Sequence, residues 1–134
     1  MSGRPPARSL AGVTVLLVDD NVDSLDIFSA ALAHSGATIR TAESARDALD
    51  IILAQRPHVI VTDLAMPRED GLWLVDHLRR LPHTQGGSIP AIAITARRHR
   101  YTASQATDVP FDVFFTKPVD PFALVEAIAK LAGR

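Results

Sequence analysis

The apolar positions of this chain follow two alternating periods. Five short segments, Val13–Asp19, Thr38–Thr41, His58–Asp63, Ala91–Thr95 and Val113–Lys117, predict strands. Three of them, V-T-V-L-L-V, H-V-I-V-T and A-I-A-I-T, are nearly continuous apolar runs. Such runs suit parallel strands covered on both faces, because one wet face would impose strict alternation. Thr38–Thr41 alternates more and is expected at a sheet edge. Between the strands the period lengthens to that of helices. Asn21 can cap a helix with the stripe Val22, Leu25, Phe28 and Leu32, and Gly36 stands just past its end. Ser44 can cap a second, with Ala45, Ala48, Leu49 and Ile52 inward. Leu72, Val75 and Leu78 mark one face of a third. R-R-H-R-Y-T-A-S-Q-A-T-D, residues 97–108, predicts only a weak fourth helix, short or mobile. Asp120-Pro121 starts the last, a cap residue followed by proline at the first helical position, with the stripe Leu124, Ile128 and Leu131.

Strand and helix alternate five times. This order predicts a flavodoxin-like, doubly wound (βα)5 α/β fold. Its five-stranded parallel sheet has order 2-1-3-4-5, right-handed crossovers and helices on both faces. The 134 residues make one ordinary domain, and 47% apolar residues can fill its core. Residues 13–132 carry the pattern. Residues 1–12, M-S-G-R-P-P-A-R-S-L-A-G, read as a flexible tail or linker rather than a signal peptide. A net charge of −1 points to neither nucleic acid nor an anionic membrane. No apolar run approaches the roughly 18 residues of a membrane span. The absence of cysteine excludes disulfide and thiol chemistry and agrees with a cytoplasmic location.

In such sheets ligands bind beyond the carboxyl ends of the strands, where strand order reverses. The first strand ends in Asp19-Asp20, the third in Asp63, the fourth in Thr95 and the fifth in Lys117. The expected order brings these ends together. Each pair of carboxylates 4 Å apart costs about 4 kcal/mol at an effective dielectric near 20. The pocket therefore takes up a proton or binds a cation. Carboxylate oxygens favour a hard ion that keeps several waters: Mg²⁺ first, with Mn²⁺ as the alternative. A cation, a lysine and a hydroxyl around one carboxylate suit phosphoryl transfer, which depends mainly on positioning and charge neutralisation. The carboxylate can itself be the nucleophile.

V-D-D-N, V-T-D-L-A-M-P-R-E-D-G, I-T-A and T-K-P occur in this order and at fitting distances. The chain thereby resembles the receiver domain of two-component response regulators, over residues 13–132. The resemblance implies that Asp63 is phosphorylated. It makes Asp19 and Asp20 the acidic pair that binds Mg²⁺, with Asp63 and the main-chain carbonyl of Ala65. Thr95 becomes the switch hydroxyl, Lys117 a contact to a phosphoryl oxygen, and Phe114 the switch aromatic. A cis bond before Pro118 is implied as well. The donor would be a histidine kinase or a histidine phosphotransfer protein, and the recipient of the signal an effector protein that the sequence does not name. The domain would be no enzyme beyond catalysing its own phosphorylation and dephosphorylation.

The chain differs from the common family pattern at several positions. Phe114 stands where many receivers carry tyrosine, so it has no hydroxyl. D-V-P-F-D precedes the last strand without the usual glycine. The polar fourth helix argues for a monomer or weak dimer. Arg97, two residues after Thr95, is expected to screen the acyl phosphate partly from water; Ala65, two after Asp63, occupies the other position that governs this access.

A haloacid-dehalogenase-like phosphohydrolase would have a second acid where Ala65 stands, and a cap domain. A receiver that no longer takes phosphate would lack an acid or the lysine. Taken singly, Asp19-Asp20 reads as a strand-end turn or cap, Asp63 as an ordinary loop acid and Lys117 as a surface lysine; together at the strand ends they read as a site. His34, His58, His77, His83 and His99 lack metal-ligand spacing and read as surface or boundary residues. R-R-H-R, residues 97–100, reads as a solvated face and Trp73 as packing. No output domain follows L-A-G-R, so the chain reads as a stand-alone receiver or one cut from a larger protein, with a slight lean to a hybrid histidine kinase.

Overall fold

The computed structural model describes residues 9–64, 66, 70–95 and 111–133. Five strands, β1 (Thr14–Val18), β2 (Thr38–Ala42), β3 (Val59–Asp63), β4 (Ala91–Thr95) and β5 (Val113–Thr116), form one sheet. All neighbours run parallel, in the order β2-β1-β3-β4-β5. The expected strands end within one residue of these bounds. The edge position of β2 explains its mixture of exposed and buried residues.

Among the described residues, four α-helices cover the sheet: α1 (Val22–His34), α2 (Ala45–Ala54), α3 (Gly71–Arg79) and α4 (Pro121–Leu131). Their starts follow from short-range chemistry. Asn21, Ser44, Asp70 and Asp120 each accept a first-turn amide through the side chain. Gly36, at φ +97°, lets the chain turn out of α1. The expected fourth helix, at residues 97–108, lies outside the described residues.

Two apolar layers flank the sheet. Val15 and Leu17 of β1, Val59 and Val61 of β3, and Ile92 and Ile94 of β4 pack with Leu25 and Leu32 of α1 and Leu124, Val125 and Ile128 of α4. The intervening Leu16, Val18, Ile60 and Ala91 pack with Ala48 and Ile52 of α2 and Leu74, Val75 and Leu78 of α3. Alternate residues of each central strand thus enter opposite cores, which is why its sequence is apolar throughout. Trp73 is half-buried against the second layer, stacked on His77 and beneath the Arg46 guanidinium, in a packing role.

Three details correct the reading of the sequence. Val22 is 50% exposed rather than buried, because Asp19–Asn21 carry the chain past the end of β1 before α1 begins. Leu74, not Leu72, is fully buried on α3; the Asp70 cap turns Gly71, Leu74, Val75 and Leu78 inward. The packed domain also begins before Val13. Leu10, expected within a tail, is fully buried in the first apolar layer. Its amide donates to the Ser35 carbonyl (2.8 Å), and its carbonyl accepts from the Val13 amide (2.9 Å). One apolar residue in a loop has no period, so only its tertiary contacts reveal it. Leu10→Ala will cost about 2–3 kcal/mol in urea unfolding, the usual price of emptying a core leucine site. A loss under about 0.5 kcal/mol would return residue 10 to the tail.

Candidate functional site

Strand register builds the site. Val18 lies opposite Thr62, so the next residues, Asp19 just past β1 and Asp63 at the end of β3, stand at one level. Asp63 lies opposite Ile94, which places Thr95 one step further along β4. Thr95 lies opposite Thr116, and its carbonyl accepts from the Lys117 amide (2.9 Å). The side chains of Asp19, Asp63 and Thr95 are buried, while Asp20 is exposed.

Carboxylate oxygens of Asp19, Asp20 and Asp63 lie within 4.8 Å of one another. Lys117 Nζ donates to Asp63 Oδ2 at 3.0 Å and stands 3.5 Å from Asp19 Oδ2. Asp19 Oδ1 accepts from the Asn21 amide (2.9 Å). Asp19 therefore also closes the turn into α1, as the modest reading of Asp19-Asp20 expects.

Electrostatics follow from this geometry. Burial pushes the Asp19 pKa up; the Asn21 amide opposes that, Asp63 and Asp20 add repulsion, and Lys117 offsets part of it. Burial also disfavours the charged form of Lys117. Its hydrogen bond to Asp63, with the attraction of Asp63 and Asp19, outweighs burial and leaves its pKa above the ordinary lysine value. The lysine is thus a fixed cation among the acids. Three clustered carboxylates exceed one lysine in charge, and their hard oxygens fit a hydrated divalent cation.

The close fit of α3 to β3 makes a further element of the site. A Cβ on Gly71 would lie 2.6 Å from the Asp63 carbonyl oxygen and 2.8–2.9 Å from the Thr62 side chain. The start of α3 therefore rests on the backbone that carries Asp63. The glycine stands in the quoted D-G dipeptide, but its reason is a contact between elements, invisible to local pattern.

The Lys117–Pro118 peptide is cis. Phe114 on β5 is half-buried and meets Phe111 edge to face, with ring centroids 5.5 Å apart. Asp112 and Arg79 also escaped the reading of the sequence. Asp112 exchanges two 2.9 Å hydrogen bonds with the Ala91 backbone, and Arg79 stands 3.8 Å from its carboxylate. Neither residue belongs to a motif, and a separation of 21 residues hides the Asp112–Ala91 pairing. Ala65, Arg97, His99 and the R-R-H-R run lie outside the described residues, as does Pro110. The other four histidines are exposed, and none belongs to the acidic cluster.

A doubly wound sheet with acids and a lysine gathered at its carboxyl end defines the class: a flavodoxin-like α/β protein with a charged strand-end pocket. Comparison with known proteins then sets the family. The response regulator receiver domain matches residues 15–129, and the chain belongs to that family. It is 36% identical over 121 residues to the uncharacterised 14.6 kDa protein in the sodA1 3′ region of Leptolyngbya boryana, covering 90% of this chain and 91% of that one. It is 33% identical over 119 residues to response regulator MprA of Mycolicibacterium vanbaalenii, covering 89% of this chain but 48% of MprA. Among solved structures, it superposes on the receiver domain of sensor histidine kinase PA1611 from Pseudomonas aeruginosa, with a TM-score of 0.82 and 23% identity. That alignment covers 92% of this chain and 100% of the other, whose active-site cleft coordinates a magnesium ion. Among the described residues, no helix is long and apolar enough to cross a membrane.

Proposed function

We propose that this receiver domain is the phosphoacceptor of a two-component phosphorelay, with Asp63 as the phosphorylated residue. The observation that carries this reading is the contact of Lys117 with Asp63 inside the acidic cluster. A carboxylate oxygen of Asp63 attacks phosphorus in a phosphohistidine of a histidine kinase or phosphotransfer protein. The new P–O bond forms as the P–N bond breaks, and the imidazole leaves with the electron pair. Asp19, Asp20 and Asp63, with the Ala65 carbonyl, would hold Mg²⁺, which would neutralise charge on the transferring group. The magnesium in the PA1611 receiver supports that choice.

Lys117 moves from its carboxylate pairing to a phosphoryl oxygen. Thr95 supplies a hydroxyl donor, and Phe114 follows it as the switch aromatic. The added charge shifts a two-state equilibrium that an effector protein reads. The domain acts in the cytoplasm, without nucleic acid or membrane as a partner, as a monomer or weak dimer.

Intact mass after incubation with Mg²⁺ and acetyl phosphate tests the reading. One phosphoryl group should add to the wild type, fail to add when Mg²⁺ is chelated, and fail to add to Asp63→Asn. No adduct from acetyl phosphate or from the phosphohistidine of a cognate kinase would end it.

A further inference from the structure

We infer that Phe111 is a positioning residue for the switch: its ring holds Phe114 in the orientation seen here and so sets how readily the domain changes state. The inference rests on the switch reading above. The two rings meet edge to face, with centroids 5.5 Å apart and planes at 76°. This geometry brings a positive ring edge against a negative ring face.

Phe111 is a rigid partner because it is fixed twice. Its ring packs against the layer beneath α2 and α3. Its backbone is pinned by the next residue: the Asp112 amide donates to the Ala91 carbonyl, and Asp112 Oδ2 accepts from the Ala91 amide, both at 2.9 Å. Arg79, 3.8 Å from the same carboxylate and bonded to the Gly87 carbonyl, ties this corner to the end of α3. Phe114 differs from its strand neighbours. Val113 and Phe115 pack into the opposite apolar layer, whereas the contact of Phe114 with Phe111 lies on the other face. Phe114 lacks a hydroxyl to anchor it, so a ring contact takes on that task. Any reorientation of Phe114 breaks the contact, so the pair weights the equilibrium toward the state seen here by about two- to tenfold, the worth of one such ring pair.

The test uses the full chain carrying 4-fluorophenylalanine, with the Phe114 fluorine resonance assigned through Phe114→Leu. Mg²⁺ with fluoroberyllate, a tetrahedral mimic of a carboxyl-bound phosphoryl group, defines the switched limit. In Phe111→Leu, the resonance of the unligated protein should move toward that limit by a two- to tenfold change in the ratio of states. Half-saturation by fluoroberyllate should fall by up to the same factor, because both readouts report one equilibrium. Phe111→Tyr keeps the ring and should behave as wild type; Phe111→Met serves if the leucine variant does not fold. A Phe114 resonance that responds to fluoroberyllate equally in wild type and Phe111→Leu, with unchanged half-saturation, overturns the role of Phe111 and leaves the switch reading intact. A wild-type Phe114 resonance that stays still while fluoroberyllate binds overturns both.

Discussion

In Asp19→Asn, Mg²⁺ affinity will fall about 100-fold, while the metal-free protein becomes more stable by about 1 kcal/mol at neutral pH. The two effects share one cause. Asp19 is buried and faces Asp63 and Asp20, and its pKa is raised in the folded state. A raised folded pKa means that the fold favours protonated Asp19. Its contribution is fully present below the unfolded value, about 3.9, and is lost as pH rises through the folded value. At neutral pH the ionised carboxylate therefore opposes folding until a cation arrives. Asparagine removes that charge and retains an oxygen that can accept from the Asn21 amide. The gain over wild type should appear as pH rises from about 4 toward neutrality, and should vanish or reverse when Mg²⁺ saturates the wild type. Urea unfolding across this range, with and without chelator, measures it. Equal stability of the two metal-free proteins at pH 7 would show that the acidic cluster is not strained, and unchanged Mg²⁺ affinity would remove Asp19 from the proposed metal site.

Gly71→Ala will destabilise the fold by about 3 kcal/mol and slow phosphoryl uptake at Asp63. The added methyl would come within 2.6 Å of the Asp63 carbonyl oxygen, and a backbone atom cannot rotate away. Relief requires α3 to lift from β3 or the Asp63 backbone to shift, and either movement displaces the carboxylate proposed to take up the phosphoryl group. Removing the Thr62 side chain as well relieves the contacts at 2.8 and 2.9 Å but leaves the carbonyl contact. Thr62→Ala with Gly71→Ala should therefore recover less than half of the lost uptake rate. Denaturation midpoints and the initial rate of mass increase with acetyl phosphate provide both readings. A Gly71→Ala protein within about 0.5 kcal/mol of wild type would mean that α3 and β3 do not approach this closely.

Much of this molecule is written locally. The double-faced runs of β1, β3 and β4 reveal a covered parallel sheet, since a strand with both faces dry has no polar alternate. Asn21, Ser44 and Asp120 each act within three residues, so caps are readable from short words. The acids and Lys117 stood out because they break apolar runs at their ends, and strand order gave them a common place. Other residues act through distance. Leu10 plugs a core formed by segments far along the chain. Phe111 and Asp112 gain their roles from Phe114, Ala91 and Arg79, and Gly71 from the Asp63 backbone. Val22 has the right period but lies beyond the sheet.

By itself, then, the sequence determined the βα order, the strand order as an expectation, the helix caps and the identity of the charged residues, because each depends on neighbours a few positions away. Only the tertiary structure decided that Asp19 and Asp63 emerge level, that Lys117 bridges them, that Gly71 must be small and that Phe111 meets Phe114. Those facts are distances between elements, set by strand register and close packing.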